Sequence, residues 1–423
     1  MTFLIKNIRG LVQAENHPVK RVPAKEMAAL NVIDNSFLLI EDDKIADFGD
    51  MSAIDRALSS VSGKDHTEID ASGRFVFPSF CDSHTHLVYA GSREKEFVDR
   101  IRGITYENNA SGGGGILSSV EKLRRTGEDE LFMQAYERIL EIIRMGTGAV
   151  EIKSGYGLTL KDELKILRVI KRLRDNSPLT IKSTFLGAHA VPEEYINNKE
   201  AYIDYLINDM IPAIVEEDLA EFIDVFCDRG YFSVEDTERI LIAGSKYGLV
   251  PKIHANELDF SGGVQVGVRQ NALSVDHLER SGIEEINVLR GSETMPTLLP
   301  GAAFFLGLPD PPARMIIDEG IPVALASDFN PGSSPSGNMK LVMSLACIRL
   351  KMLPAEAINA ATINSAYAMG LSASHGSVAR GKKANLFITK NMPSYEYFIY
   401  AYGSDLIDTV ILKGRIIDRG VPA

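Results

Sequence analysis

Short apolar runs alternate with amphipathic stretches through the middle of the chain, between residues 75 and 370. A short apolar run is typical of a buried strand, whereas apolar residues that recur every three or four positions are typical of a helix. Eight strands are predicted on this basis: Arg74–Ser83, Ala149–Lys153, Thr180–Leu186, Phe222–Phe226, Leu249–His254, Leu273–His277, Thr294–Leu299 and Val323–Ser327. Successive strand and helix units predict an α/β fold, a (β/α)8 or TIM barrel.

Residues at the helix ends agree with this division. Thr159 and Ser233 are each followed, three residues later, by an aspartate, which predicts two helix N-caps. Gly146, Gly248 and Gly320 stand where helices should end before the next strand.

The two ends of the chain contain strand-like runs with little helical period. Phe37–Ile40 and Lys44–Phe48 predict one hairpin, and Thr409–Leu412 with Arg415–Ile417 predicts another. Neither end is long enough to bury a good core by itself. We therefore expect residues 1–74 and 371–423 to pair into one small β-sandwich domain, with the barrel of residues 75–370 inserted between them.

Composition and charge exclude several classes of protein. The formal net charge is −12, and basic residues form no block beyond short pairs such as Arg124-Arg125, so we expect no nucleic-acid partner. The sequence contains neither an apolar stretch long enough for a bilayer nor a signal-peptide layout, so we expect no membrane association. Three widely spaced cysteines, Cys81, Cys227 and Cys347, favour a reducing compartment. These features predict a cytoplasmic protein.

Most of the histidines fall at the carboxyl ends of predicted strands. These positions are His84 and His86 after strand 1, His189 after strand 3, His254 on strand 5 and His277 on strand 6, and Asp328 follows strand 8. Any one of these histidines is more simply explained as a satisfied core residue. Five at one rim of one barrel indicate a functional site, because the strand ends carry the chemistry of this fold. The other three, His17, His66 and His375, are expected on the surface.

Four of these residues suit a metal ion. His84, His86, His254 and Asp328 offer three imidazoles and one carboxylate, a set that suits one Zn²⁺ or Fe²⁺ with room for a water molecule. Such an ion lowers the pKa of a bound water to about 7. Strand 4 ends in Phe226-Cys227-Asp228, without a lysine to bridge two metals, so we expect a single ion. Asp328 is also the candidate general base.

Two further residues have candidate catalytic roles. Glu257 lies three residues after His254 and is placed to exchange a proton with a substrate nitrogen; a solvated loop acid is the less favoured alternative. His277 is placed to stabilise a developing oxyanion.

Several motifs resemble those of imidazolonepropionases, which belong to the amidohydrolase superfamily. The similar segments are residues 84–93, 153–157, 185–189 and 327–333, and the similarity covers the whole chain. The resemblance implies metal ligation by His84, His86, His254 and Asp328. It also implies substrate contacts, by Arg93, Tyr156, His189, Glu257, Asn330, Gly332 and Ser333. The implied reaction is hydrolysis of 4-imidazolone-5-propanoate to N-formimidoyl-L-glutamate in histidine degradation, and the superfamily implies a homodimer.

The residues themselves suit a small anionic substrate. Arg93, on the loop after strand 1, can bind a propanoate carboxylate through two hydrogen bonds, and Tyr106 on the same loop is a weaker candidate. A solvated surface position is the alternative for Arg93. The glycine run 112–115 lacks the residues of a phosphate-binding loop and is interpreted as a flap over the pocket.

Two other functions stay open from the sequence. A deaminase of a cyclic amidine or a nucleobase would use the same metal ligands and is the second hypothesis. A catalytically silent scaffold would be expected to lack ligands, and all four are present here.

Overall fold

The computed structural model describes residues 2–63, 65–103 and 115–418. Two eight-stranded sheets organise this part of the chain. Their strands are β1 (Thr2–Val12), β2 (Val32–Glu41), β3 (Lys44–Asp50), β4 (Thr67–Asp70), β5 (Phe75–Pro78), β6 (Phe80–Thr85), β7 (Thr147–Lys153), β8 (Thr180–Ala188), β9 (Phe222–Cys227), β10 (Val250–Ala255), β11 (Ser274–His277), β12 (Met295–Leu298), β13 (Ala324–Leu325), β14 (Leu386–Thr389), β15 (Ile407–Leu412) and β16 (Arg415–Ile417).

Strands β6 to β13 lie side by side in chain order and are all parallel. The two edges meet where the backbone N–H of His86 donates to the carbonyl of Phe329 at 2.9 Å and that of Asp328 donates to the carbonyl of His84 at 3.0 Å. The predicted (β/α)8 barrel is therefore confirmed. Its closing seam runs through three of the four predicted metal ligands.

Most helices cover the outside of the barrel and carry its connections, whereas Ile54–Val61 packs on the small sheet. Their bounds are Ala24–Met27, Ile54–Val61, Glu94–Ile101, Ile116–Arg125, Glu128–Arg144, Leu160–Asn176, Lys199–Tyr205, Ile211–Glu216, Val234–Lys246, Gly263–Arg269, Ile283–Leu289, Pro300–Leu306, Ala313–Asp318, Met339–Ile348, Pro354–Asn359, Ser365–Ala368 and Tyr395–Tyr400. The hydroxyls of Thr159 and Ser233 accept hydrogen bonds from the backbone N–H groups of Asp162 and Asp236, so both predicted N-caps are present.

Both ends of the chain contribute to the second sheet. Strand β1 pairs with β2, β4 and β5, while β14 from the carboxyl-terminal segment pairs with β5 and brings β15 and β16 with it. The prediction of a small β domain formed from the two ends is confirmed.

The predicted first barrel strand, residues 74–83, is in fact two strands. Phe75–Pro78 belongs to the small sheet and Phe80–Thr85 to the barrel, so the chain crosses from one sheet to the other at Ser79. Both pieces are buried throughout, so the apolar pattern is continuous across the crossing and could not reveal it.

An aromatic cluster joins the two sheets. The ring of Phe387 from the small sheet lies 5.2 Å from that of Phe77 and 5.0 Å from that of Phe80, and Phe398 packs against all three. These rings are almost completely buried, and aromatic burial of this kind contributes strongly to packing energy. The small sheet is thus fixed to the amino-terminal end of the first barrel strand.

His375 corrects one surface prediction. It is 6% exposed, and Nε2 lies 2.9 Å from the hydroxyl of Thr180. Burial, together with the neighbouring charge of Lys382, lowers the pKa of His375 to about 4. The carboxyl-terminal segment around it packs under the barrel, a placement that its polar sequence did not indicate.

Within the described ranges, no helix has both the length and the apolar character needed to cross a bilayer.

Candidate active site

Six polar side chains meet at the carboxyl ends of the barrel strands. They are His84, His86, His189, His254, His277 and Asp328, and none is more than 6% exposed. Nε2 of His86 lies 3.4 Å from Nε2 of His254. Oδ1 of Asp328 lies 3.6 Å from Nε2 of His84 and 3.7 Å from Nε2 of His86. The structure therefore brings together all the residues that the sequence placed at this rim.

The ligand atoms are close enough to share one ion. Three trios have such atoms within 4.8 Å of one another: His84 with His254 and His277, His86 with His189 and His254, and His84 with His86 and Asp328. Each of the four predicted metal ligands belongs to at least one trio. Nitrogen ligands about 2.1 Å from a tetrahedral ion lie about 3.4 Å from one another. The distances between the facing atoms match that spacing.

Two aspartates determine which imidazole nitrogens face the centre. Oδ2 of Asp276 lies 2.6 Å from Nδ1 of His84, and Oδ2 of Asp224 lies 3.0 Å from Nδ1 of His254. An imidazole that donates its Nδ1 hydrogen to a carboxylate presents the Nε2 lone pair on its other side. Nε2 of His84 is buried and has no hydrogen-bond partner among the described residues. This donor set fits a divalent cation.

Sequence reasoning missed Asp224 and Asp276. Each stands within a buried strand, Asp224 on β9 and Asp276 on β11, and neither is more than 1% exposed. A carboxylate inside an apolar strand is the signal that could have found them, because a buried charge needs a partner.

Glu257 and His277 form a second pair beside the predicted metal ligands. Oε2 of Glu257 lies 3.8 Å from Nε2 of His277. Burial raises the pKa of Glu257 to about 8, against the effect of His277, so its carboxyl group can carry a proton near neutral pH. Burial alone would lower the pKa of His277, but the charges of Glu257 and Glu279 raise it well above its usual value. The two groups therefore share a proton that the pair can donate to a substrate.

The backbone is strained at two residues of the site. His277 and Asp328 have φ values of +85° and +54°, in a region that side chains disfavour. Hydrogen bonds across neighbouring strands hold this geometry, including those from Leu278 N–H to the Ala255 carbonyl and from Asp328 N–H to the His84 carbonyl. Such strain is typical of binding sites, where the fold fixes a side chain's direction.

The loop after Asp328 is shaped by Asn330. The Asn330 side-chain oxygen accepts from the N–H groups of Gly332 at 2.7 Å and Ser333 at 2.8 Å, and its amide donates to the Asp328 carbonyl and the Ser333 hydroxyl. The Ser333 hydroxyl in turn donates to Oδ2 of Asp328 at 2.8 Å. These bonds orient the carboxylate of Asp328, while Asn330 and Ser333 still line the cavity.

Arg93 enters the site beside Gly332. Its Nε and Nη2 donate to the two carboxylate oxygens of Glu96 at 3.0 and 2.6 Å, which orients the guanidinium plane. Arg93 is 7% exposed and lines the same cavity as the histidines. Sequence reasoning did not identify Glu96. Tyr106 and residues 112–114 of the predicted flap lie outside the described residues.

Tyr156 and His189 form one wall of the cavity. The carboxylate of Glu163 accepts hydrogen bonds from the N–H groups of Gly155, Gly157 and Leu158, at 3.1, 2.8 and 2.8 Å, and so folds the loop that carries Tyr156. Nδ1 of His189 lies 3.0 Å from the Gly155 carbonyl, and its ring stacks on that of His86 at 5.1 Å.

These residues line one cavity at the carboxyl ends of the strands. Its lining comprises His86, Arg93, Ile116, Tyr156, His189, Phe226, His254, Glu257, His277, Asp328, Asn330 and Ser333. Ile116 and Phe226 were not predicted as site residues. One cation, proton donors and apolar walls in one cavity suit a small anionic heterocycle.

Sequence relatives agree on one family. The amidohydrolase family profile matches residues 272–417. An imidazolonepropionase from Christiangramia forsetii is 55% identical, covering 99% of this chain and 100% of the relative. An imidazolonepropionase from Flavobacterium johnsoniae is 56% identical with the same coverage.

Solved structures agree on the fold. A guanine deaminase from E. coli superposes with a TM-score of 0.74, covering 99% of each chain at 14% sequence identity. Similarity at this identity shows a shared architecture alone. The relatives, however, are far above the level at which a family is established, and the chain belongs to the imidazolonepropionase family within the amidohydrolases.

Proposed function

We propose that this protein hydrolyses the ring C–N bond of 4-imidazolone-5-propanoate to give N-formimidoyl-L-glutamate, the reaction of its family. The observation that supports it best is a single cavity that combines a metal-binding donor set, the cation of Arg93 and the protonated acid of Glu257. A hydrolase of an anionic cyclic amide needs each of these.

His84, His86, His254 and Asp328 would hold one divalent ion, for which we propose Zn²⁺ or Fe²⁺. A cation in this position supplies Lewis acidity, which makes a water molecule acidic enough to react near neutral pH. The Ser333 hydroxyl donates to Oδ2 of Asp328 and so fixes which way the carboxylate faces. From this position Asp328 accepts a proton from the attacking water.

The remaining residues act on the ring. His277 lines the cavity and stabilises, through an N–H group, the negative charge that develops on the carbonyl oxygen. Glu257 delivers its proton to the departing ring nitrogen, which leaves that nitrogen on the product as part of the formimidoyl group. Water is consumed and no ammonia is released.

Substrate binding places the propanoate at Arg93. Glu96 holds the guanidinium edge that carries Nε, so Arg93 reaches the cavity in a fixed orientation. A guanidinium binds a carboxylate through two parallel hydrogen bonds, and a preorganised one loses less entropy on binding. Tyr156 and His189 line the wall beside His86, where they would contact the ring.

The test is a comparison of substrates. The purified protein, loaded with Zn²⁺ or with Fe²⁺ without oxygen, is given imidazolonepropanoate, cytosine or guanine, and both substrate loss and ammonia release are followed. We expect rapid loss of imidazolonepropanoate only. Deamination of a nucleobase with no effect on imidazolonepropanoate would overturn the proposal. The same preparations would show which metal supports turnover.

We also propose that the protein acts in histidine degradation in the cytoplasm, as a homodimer. The free cysteines at 81, 227 and 347 support a reducing compartment. Light scattering during gel filtration tests the dimer, and a mass of one chain would contradict it.

A further inference from the structure

Five charged residues lie inside the barrel, directly beneath the metal-binding side chains. They are Glu151, Lys153, Asp224, Lys252 and Asp276, and none is more than 1% exposed. Burying a charge is costly unless it is paired, so a network of three carboxylates and two ammonium groups needs well-defined contacts. Burial would lower the pKa of Lys153, but Asp224, Glu151 and Asp276 raise it above its usual value, so this lysine is charged.

Lys153 contacts both aspartates that orient metal-binding imidazoles. Its Nζ lies 2.8 Å from Oδ2 of Asp224 and 3.6 Å from Oδ2 of Asp276. These two oxygens are the same atoms that contact Nδ1 of His254 and Nδ1 of His84. One ammonium group, that of Lys153, therefore contacts both carboxylates that hold the two imidazoles.

Lys252 offers a natural comparison within the same network. It is as completely buried as Lys153, and both lysines contact the carboxylate of Glu151, on its two different oxygens. The other contacts of Lys252 are with the backbone carbonyls of Ser83 at 3.0 Å and Ala368 at 3.2 Å. Lys252 thus supports the barrel backbone, whereas Lys153 supports the carboxylates behind the imidazoles.

We propose that Lys153 is a positioning residue, which fixes the orientation of His84 and His254 toward the metal by holding Asp276 and Asp224 in place. Without its charge, two buried carboxylates would face each other across the vacated position, and at least one would turn away from its imidazole. The inference rests on the proposed function, because it concerns the same metal site. No step of the reaction passes through Lys153.

The test compares Lys153→Met with Lys252→Met in the full chain. Each variant removes one buried ammonium group and leaves Glu151 paired with the remaining lysine. Metal is removed with a chelator, and Zn²⁺ affinity is measured by competition with a chromophoric chelator. The visible spectrum of the Co²⁺-loaded protein reports the ligand geometry independently of activity. The melting temperature of the metal-free protein reports general stability.

We expect Lys153→Met to weaken Zn²⁺ binding by about 10- to 100-fold, the usual effect of losing the partners of metal ligands, and to change the Co²⁺ spectrum. Lys252→Met should lower the melting temperature while its Zn²⁺ affinity and Co²⁺ spectrum stay close to those of the native protein. Equal losses of affinity in the two variants, or an unchanged affinity in Lys153→Met, would overturn the inference.

A second pair of variants covers the case in which a single variant does not fold. Adding Glu151→Gln to each lysine variant restores the net charge of the native network, and the same contrast in affinity is expected. Failure of the inference differs from failure of the proposed function. If the native protein bound no divalent metal, the proposed metal site would be wrong, whereas native binding with equal variants would refute only the role of Lys153.

Discussion

Substituting Gly332 by alanine should disable the proposed carboxylate-binding site without unfolding the protein. Gly332 lies against the guanidinium of Arg93, and an alanine Cβ there would stand 2.6 Å from Cζ of Arg93 and closer still to Nη1. Gly332 is not among the glycines with positive φ, so its backbone accepts alanine without strain. The steric conflict with Arg93 is therefore the main consequence of Gly332→Ala.

The size of the effect follows from that conflict. Nonbonded carbon atoms approach to about 3.5 Å, so the guanidinium must retreat by about 1 Å. Displacements of about 1 Å can cost a reaction about 100-fold. Losing one partner of a buried charge pair costs roughly 2–5 kcal/mol. We expect kcat/KM for imidazolonepropanoate to fall by about 100-fold, with an unchanged metal content.

Steady-state kinetics on two substrates provide the assay. An analogue without the carboxylate should lose far less than imidazolonepropanoate, because it makes no contact with Arg93. Arg93→Ala should give the same selective loss. An alanine variant at 332 with native kcat/KM, or with equal losses on the two substrates, would refute the role of Arg93.

Three further predictions concern other parts of the molecule. Glu257→Gln should lower kcat by at least about 100-fold while the metal content stays native, because general acid catalysis contributes about that much; normal turnover would contradict it. Glu163→Gln should raise KM and lower the melting temperature, because one backbone N–H of the Tyr156 loop loses its acceptor at a cost of about 1–3 kcal/mol. Native kinetics in this variant would contradict the proposal that the Tyr156 loop helps to bind the substrate. His375 has a pKa of about 4 in the folded protein against an ordinary value of 6.5. Between these pH values the unfolded chain therefore binds a proton that the folded protein does not bind. Stability should therefore decline as pH falls from 6.5 toward 4, by up to ~3 kcal/mol, and melting curves of His375→Asn should depend less on pH, with exposed His17→Asn as the control.

The side chains of the proposed metal site could be grouped from the sequence because each directly follows or ends a buried strand. Residues that follow buried parallel strands must meet at one edge, so His84, His254 and Asp328 could be grouped from the sequence. The partners behind them could not be assigned in this way. Whether Asp276 faces His84 depends on strand register and barrel tilt, which no local pattern specifies.

Three other features could not be predicted from the sequence for the same physical reason. Glu96 stands three residues after Arg93, the spacing of a helix ion pair, but only the fold shows that Glu96 orients a side chain that lines the cavity. The crossing between the two sheets at Ser79 is hidden because both flanking strands are buried on both faces. His375 is buried by the meeting of distant segments, and a polar sequence gives no sign of that.

Product analysis in water enriched in the heavy oxygen isotope tests the central claim most directly. If the ring C–N bond is hydrolysed, mass spectrometry should show imidazolonepropanoate plus one water. One heavy oxygen should lie in the new carboxylate, and both ring nitrogens should be retained. Glu257→Gln, measured beside the native protein, should form this same product more slowly. Stoichiometric ammonia, or a product that has lost a nitrogen, would contradict the account.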